Sequence, residues 1–125
     1  MPPRGADPAQ MLAMAAHLQG RVHALNVTDG SRAVMRMSSV AACKLLIEAG
    51  AEPVLQLACR DRNRIALQAD LLGAHALGIR NLLCLTGDPV RSGDQPSVRP
   101  VNELESVKLL QQVEALNRGE DPVKG

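Results

Sequence analysis

Polar side chains stand near the ends of three apolar segments, and their types suggest a ligand site. The segments close with the letters TD, CRD and TGD. Thr28, Gln56 and Asp88 would each project from the last third of a strand, toward a common edge if the strands are parallel. A hydroxyl, an amide and a carboxylate together can orient a heteroaromatic ring by hydrogen bonding. Threonine and aspartate also cap loops, so Thr28 and Asp88 keep a structural interpretation as well.

A repeated helix–strand unit would bring these side chains together. Glycines at positions 20, 50 and 78 each close an apolar run with helical spacing, as glycines do at helix ends. Each is followed by a strand-like segment, RVHALNVTD with about six strand residues, then PVLQLAC, then IRNLLCLT. Such alternation predicts parallel strands joined by crossover helices.

Four helices are predicted, and capping residues mark the start of the first three. Asp7 with Pro8 behind it begins the first, Ser31 opens the second, and Asp61 caps the third. The fourth is expected over residues 103–116.

The predicted fold class is α/β, as a single domain over residues 1–125. A doubly wound open sheet fits the local pattern, but polar residues at every strand end favour a (β/α)₈ barrel of the TIM type, which collects its chemistry there. A closed barrel needs about eight units and roughly 250 residues. With about three parallel strands and four helices, this chain is expected to form a partial barrel.

Composition excludes several classes of partner. Fourteen basic and thirteen acidic residues leave a formal net charge of +1, which argues against nucleic acid and anionic membranes. No apolar run approaches the roughly 20 residues of a membrane helix. Cys43, Cys59 and Cys84 lie in apolar segments and are interpreted as small buried side chains of a cytoplasmic protein. The histidines lack metal-ligand spacing, so no metal site is expected.

Four stretches resemble the methylenetetrahydrofolate reductase family: PPRGADP, NVTDGSRAVMRMSS, EPVLQLACRDRNRIALQADLLGAHALGIRNLLCLTGD and LESVKLL. They occur in the family's order and cover nearly the whole chain. The resemblance implies a flavoprotein (β/α)₈ barrel that works in one-carbon metabolism and methionine biosynthesis. In this family FAD takes hydride from NAD(P)H and reduces 5,10-methylenetetrahydrofolate to 5-methyltetrahydrofolate.

The resemblance also implies roles for individual residues. The flavin contacts carried over by position are Thr28, Gln56, Thr86, Gly87 and Asp88. Asp88 is the one catalytic position retained, near the N1/C2 carbonyl edge of the flavin. Gln56 stands where other branches place a histidine, and Thr86 where they place an arginine.

The family's general acid is a glutamate on a barrel strand that precedes the PPR motif. Here PPR follows Met1 directly, so we expect a fragment or truncated form of the reductase. Its expected partners are the folate substrate and either a second copy of the chain or a complementing barrel half. The alternative function is a non-catalytic half-barrel that associates with another chain or copy.

Overall fold

Helices and strands alternate along the chain, and the strands form one sheet. The structure, a computed structural model, describes residues 1–122. Its elements in chain order are α1 (Ala9–Leu18), β1 (Leu25–Val27), α2 (Ser39–Glu48), β2 (Pro53–Ala58), α3 (Arg64–Ala76), β3 (Asn81–Leu85) and α4 (Ser106–Asn117). Short 3₁₀ turns follow β1 and β3, at Ser31–Ala33 and Val90–Ser92, and are called turn 31–33 and turn 90–92 below.

The sheet is parallel, in the order β1-β2-β3. Leu55 of β2 pairs with Val27 on one side and with Leu82 on the other. This confirms the α/β prediction of three parallel strands and four helices, and it is consistent with part of a barrel. Strand β1 has three residues rather than the expected six.

One face of the sheet carries the core. Val27 and Leu55 pack there against Cys43 and Leu46 of α2. Because the chain has no Phe, Tyr or Trp, aliphatic side chains supply the buried area, at about 1.5–3 kcal/mol for each large one fully buried. A second cluster joins β2 to α3 and α4, and its buried members are Leu57, Cys59, Leu67, Leu104 and Leu109.

The other face of the sheet is partly open. Successive side chains of a strand alternate between faces, so Val54, Gln56 and Leu83 point away from the helix-covered side. Val54 and Gln56 are half-buried, and Leu83 is 43% exposed. In a closed barrel this face lines the interior.

Helix ends agree with the sequence better than helix starts. Gly20, Gly50 and Gly78 all have positive φ, at 80°, 85° and 89°, the left-handed conformation that ends a helix at low cost in glycine.

In the described part of the chain, no helix is long and apolar enough to cross a bilayer.

Two predicted caps are wrong. Helix α2 is capped by Ser38, whose Oγ accepts the Ala41 N–H at 3.2 Å, because Ser31 belongs to the separate turn 31–33. Helix α3 is capped by Asn63 through the Ala66 N–H at 2.9 Å, because the Asp61 carboxylate is engaged elsewhere. Helix α4 begins at Ser106 instead of residue 103.

Candidate functional site

The loops that follow the three strands meet at the end of β2. Turn 31–33 packs against turn 90–92, although the two lie almost sixty residues apart in sequence. The main-chain N–H of Arg32 donates to Asp88 Oδ2 at 2.6 Å. Arg60 Nη1 donates to the carbonyl oxygens of Gly30 and Asp88, at 3.3 and 3.2 Å. The carboxyl ends of all three strands therefore form one connected edge.

Thr28 and Gln56 offer polar groups on neighbouring strands. Asn26 pairs with Val54 in the ladder, so the alternation of side chains directs Thr28 and Gln56, two residues further on, to the same face. Thr28 Oγ1 is buried and has no hydrogen-bond partner, and no partner is found for the Gln56 amide within residues 1–122. An unsatisfied buried hydroxyl costs about 1–3 kcal/mol, so a hydrogen-bond partner for Thr28 Oγ1 would be stabilising.

The tripeptide Thr86-Gly87-Asp88 has structural contacts of its own. Thr86 Oγ1 accepts the N–H of Ser106 at 3.1 Å, at the start of α4. Asp88 is exposed, and its carboxylate holds the N–H of Arg32 in the loop after β1. The loop-capping interpretation left open by the sequence therefore holds for Asp88. Thr28 and Gln56 share one face of the sheet, whereas Asp88 stands in the loop beyond β3.

An ion-pair network that the sequence did not reveal lies beneath this edge. Asp29 Oδ2 accepts the Ala58 N–H at 2.8 Å and Arg62 Nη1 at 2.6 Å, and Arg62 Nε also pairs with Asp70 at 2.9 Å. Arg60 is 4% exposed and Arg62 is half-buried, although charged residues that follow a strand are usually solvated. The sequence offered one signal of this ion-pair network: a carboxylate directly after one strand and arginines after the next.

Comparison with known proteins places the chain in a family. The methylenetetrahydrofolate reductase family model matches residues 1–121. The chain belongs to the methylenetetrahydrofolate reductase family. A search of curated proteins gave no match. Membership agrees with the α/β architecture and indicates a reductase-like function in one-carbon metabolism.

The charges at the edge are held in their ionised forms. For Arg62, burial opposes the charge, but the hydrogen bond and attraction of Asp29, followed by those of Asp70, outweigh it and raise its pKa. For Arg60, the hydrogen bond to Asp61 is the largest cause and also raises the pKa. These guanidinium groups are fixed cations that transfer no proton near neutrality.

Within the part of the chain that the structure describes, neither a reactive thiol nor a metal centre is indicated at this site. Burial raises the pKa of Cys59, with smaller contributions from Cys84 and Glu105, so Cys59 is a poor thiolate nucleophile. Within residues 1–122 no group of three His, Cys, Asp or Glu side chains could hold a metal ion. Thr28 Oγ1 and the Gln56 amide, which have no partner within residues 1–122, fit a ligand with both hydrogen-bond donors and acceptors, such as a flavin.

Proposed function

We propose that this chain forms one wall of the flavin site of a methylenetetrahydrofolate reductase, with FAD as cofactor and NAD(P)H as electron donor. When bound, FAD would relay hydride from NAD(P)H to 5,10-methylenetetrahydrofolate, giving 5-methyltetrahydrofolate. Beyond family membership, the observation that supports the proposal is the buried hydroxyl of Thr28, which has no protein partner in the described chain.

Each site residue has a proposed part. Thr28 and Gln56 would orient the flavin ring by hydrogen bonds from one side. Gly87 would contact the ring through its main chain, since the position of its missing β-carbon faces Arg60 Cβ at 2.8 Å. Thr86 keeps that segment against α4 through its bond to the Ser106 N–H.

Asp88 is the proposed catalytic residue. A carboxylate beside the flavin opposes the accumulation of negative charge on the ring, because like charges repel at short range. Asp88 could also accept a hydrogen bond from the pterin of the folate. One of its oxygens already holds the Arg32 N–H, which fixes the direction of the other.

The proposed site is open on the face that carries Leu83, which is 43% exposed. Affinity depends on contacts that enclose a ligand. We therefore expect the isolated chain to bind FAD weakly, and a complementing barrel half or a second copy to strengthen the binding.

Thr28→Val separates this function from simple folding. The variant removes an unsatisfied hydroxyl, so the flavin-free chain should be as stable as the wild type or more stable by about 1 kcal/mol. Its affinity for FAD should fall about fivefold, the value of one hydrogen bond of about 1 kcal/mol. Far-UV circular dichroism measures the stability, and visible difference absorbance measures the binding.

Gly20→Ala is the matched control. It places a β-carbon at φ 80° in the loop before β1, at the amino ends of the strands and away from the proposed site. The variant should therefore lower stability by about 1 kcal/mol and leave FAD affinity unchanged. Equal FAD affinity in wild type and Thr28→Val would contradict the proposed role of the hydroxyl.

The second candidate function is a non-catalytic half-barrel that associates with another chain or copy. Exposed Leu83 and the outer edges of β1 and β3, unpaired within the described residues, favour it, since open apolar strand edges drive association. Light scattering at micromolar concentration should then give a mass above 13.3 kDa. Leu83→Gln should shift that mass toward the monomer. A wild-type monomer at every concentration would rule out association with a second copy.

A further inference from the structure

Arg60 is a charged side chain buried where the loops after β1 and β3 meet, and it is 4% exposed. Its Nε and Nη2 donate to the two carboxylate oxygens of Asp61, at 2.7 and 2.6 Å. Its Nη1 donates to the carbonyl oxygens of Gly30 and Asp88. The guanidinium is planar, so the fork held by Asp61 fixes where the two carbonyl groups must lie.

The neighbouring main chain is fitted around this side chain. A β-carbon on Gly30 would lie 2.7 Å from Arg60 Nη2, and one on Gly87 would lie 2.8 Å from Arg60 Cβ. Both glycines have positive φ. A side chain at Gly87 would clash with Arg60 Cβ, and one at Gly30 would displace the Arg60 guanidinium.

Arg60 also anchors the segment beyond the third strand. Its carbonyl oxygen accepts the N–H of Val101 at 2.7 Å, so the long loop that begins at Gly87 returns to the same residue. Arg60 therefore joins the loop after β1, the end of β2 and both ends of the loop after β3.

We propose that Arg60 is a positioning residue of the flavin site: it fixes the spacing between the main chain at Gly30 and at Asp88. That spacing sets where Thr28, two residues before Gly30, and the Asp88 carboxylate stand toward the flavin. The inference rests on the proposed function for its ligand. The hydrogen bonds from Arg60 to Asp61 and to the carbonyl groups of Gly30 and Asp88, called the clamp below, can be tested without flavin.

The chemistry of the side chain distinguishes a clamp from a space-filling group. Arg60→Met keeps most of the aliphatic length and removes every donor. Arg60→Lys keeps the charge and three donors but cannot hold Asp61 with a fork while reaching both carbonyl groups. Arg64→Met is the matched control, since Arg64 is an exposed arginine four residues later at the start of α3.

The flavin-free arm uses nuclear magnetic resonance on the full chain. In the wild type, the Nη protons of Arg60 should exchange with water more slowly than those of Arg64, a comparison that needs no variant to fold. In Arg60→Met, the Arg32 amide, which is bonded to Asp88, should move toward the shift of a water-exposed amide, and Arg60→Lys should fall between. Equal exchange at the two arginines, or an unmoved Arg32 amide in Arg60→Met, would overturn the clamp.

The flavin arm measures the visible spectrum of the flavin at saturation, so that a change in affinity alone does not alter the result. Arg60→Met should change the shape of the bound-flavin band, Arg60→Lys should restore part of it, and Arg64→Met should match the wild type. An unchanged band in Arg60→Met would overturn the positioning role. If the wild type does not change the visible absorbance band of added flavin while the Arg32 amide shifts as expected in the variants, the clamp stands and the proposed flavin function fails.

Discussion

Replacing Asp29 with asparagine should destabilise the chain more than replacing Asp70, the other carboxylate that pairs with Arg62. The side chains of Asp29 and Arg62 are 9% and 17% exposed, and their closest N–O distance is 2.6 Å. Breaking a buried pair by removing one partner costs about 3–5 kcal/mol, because the remaining charge stays buried. Arg62 retains Asp70 at 2.9 Å, so we expect a loss of about 3 kcal/mol, at the lower end.

Urea unfolding followed by far-UV circular dichroism is the appropriate assay, since the chain has no Trp or Tyr for fluorescence. Domains of this size are stable by about 5–15 kcal/mol, so a loss of about 3 kcal/mol is large and measurable. Asp70→Asn is the control: the Asp70 side chain is 38% exposed, and exposed pairs contribute about 1 kcal/mol or less.

A double-mutant cycle with Arg62→Met isolates the pair. If Asp29 and Arg62 act together, the double variant should lose much less than the sum of the single losses. Equal losses in Asp29→Asn and Asp70→Asn, or simple additivity with Arg62→Met, would refute the reasoning that a buried pair locks β1 to the start of α3.

Three further outcomes follow from the structure. Gly87→Ala should lower stability by about 1–3 kcal/mol in urea melts, since φ is 105° and a β-carbon would lie 2.8 Å from Arg60 Cβ; Gly5→Ala, with nothing within 4 Å, should be neutral. Burial raises the pKa of Cys43 from its ordinary 9.0 to about 12, so only the unfolded chain ionises this thiol between those values. Wild-type stability should be full below pH 9.0 and fall as the pH rises toward 12, with a shallower fall in Cys43→Ala when urea midpoints are compared. In a barrel completed with strands from a family relative, Asp88→Asn should slow both flavin reduction by NAD(P)H and folate reduction. The expected loss is about tenfold or more, the value of a charge-assisted hydrogen bond. Unchanged stopped-flow rates at the flavin band would leave Asp88 as a loop cap only.

Much of the architecture was predictable because its signals are local. Apolar spacing and helix-ending glycines predicted the order of helices and parallel strands. Ser31 was a plausible cap by type, but Arg32 and Ala33 have φ of 59° and 56°, which ends the turn before a helix can form. Left-handed φ is rare in residues other than glycine, and the residue types of Arg32 and Ala33 do not predict it.

The contacts at the strand ends were not predictable because they are long-range. The Arg32 amide meets the Asp88 carboxylate 56 residues away, and Asp29 meets Arg62 across 33 residues. A charged residue after a strand is usually solvated. Only the packing of turn 31–33 against turn 90–92 and the close approach of the loops bury Arg60 and engage Asp61, which therefore does not cap α3.

The most direct measurement of the proposed flavin site is a nuclear magnetic resonance titration of the full chain with FAD, with adenosine diphosphate as the control for the nucleotide half. The account predicts that FAD moves the amides of Thr28, Gln56 and the tripeptide Thr86-Gly87-Asp88, even at millimolar affinity, and that adenosine diphosphate leaves them in place. If these amides remain unmoved by FAD while the chain is folded, or if both ligands move the same set, the strand ends are not a flavin site and the central claim is wrong.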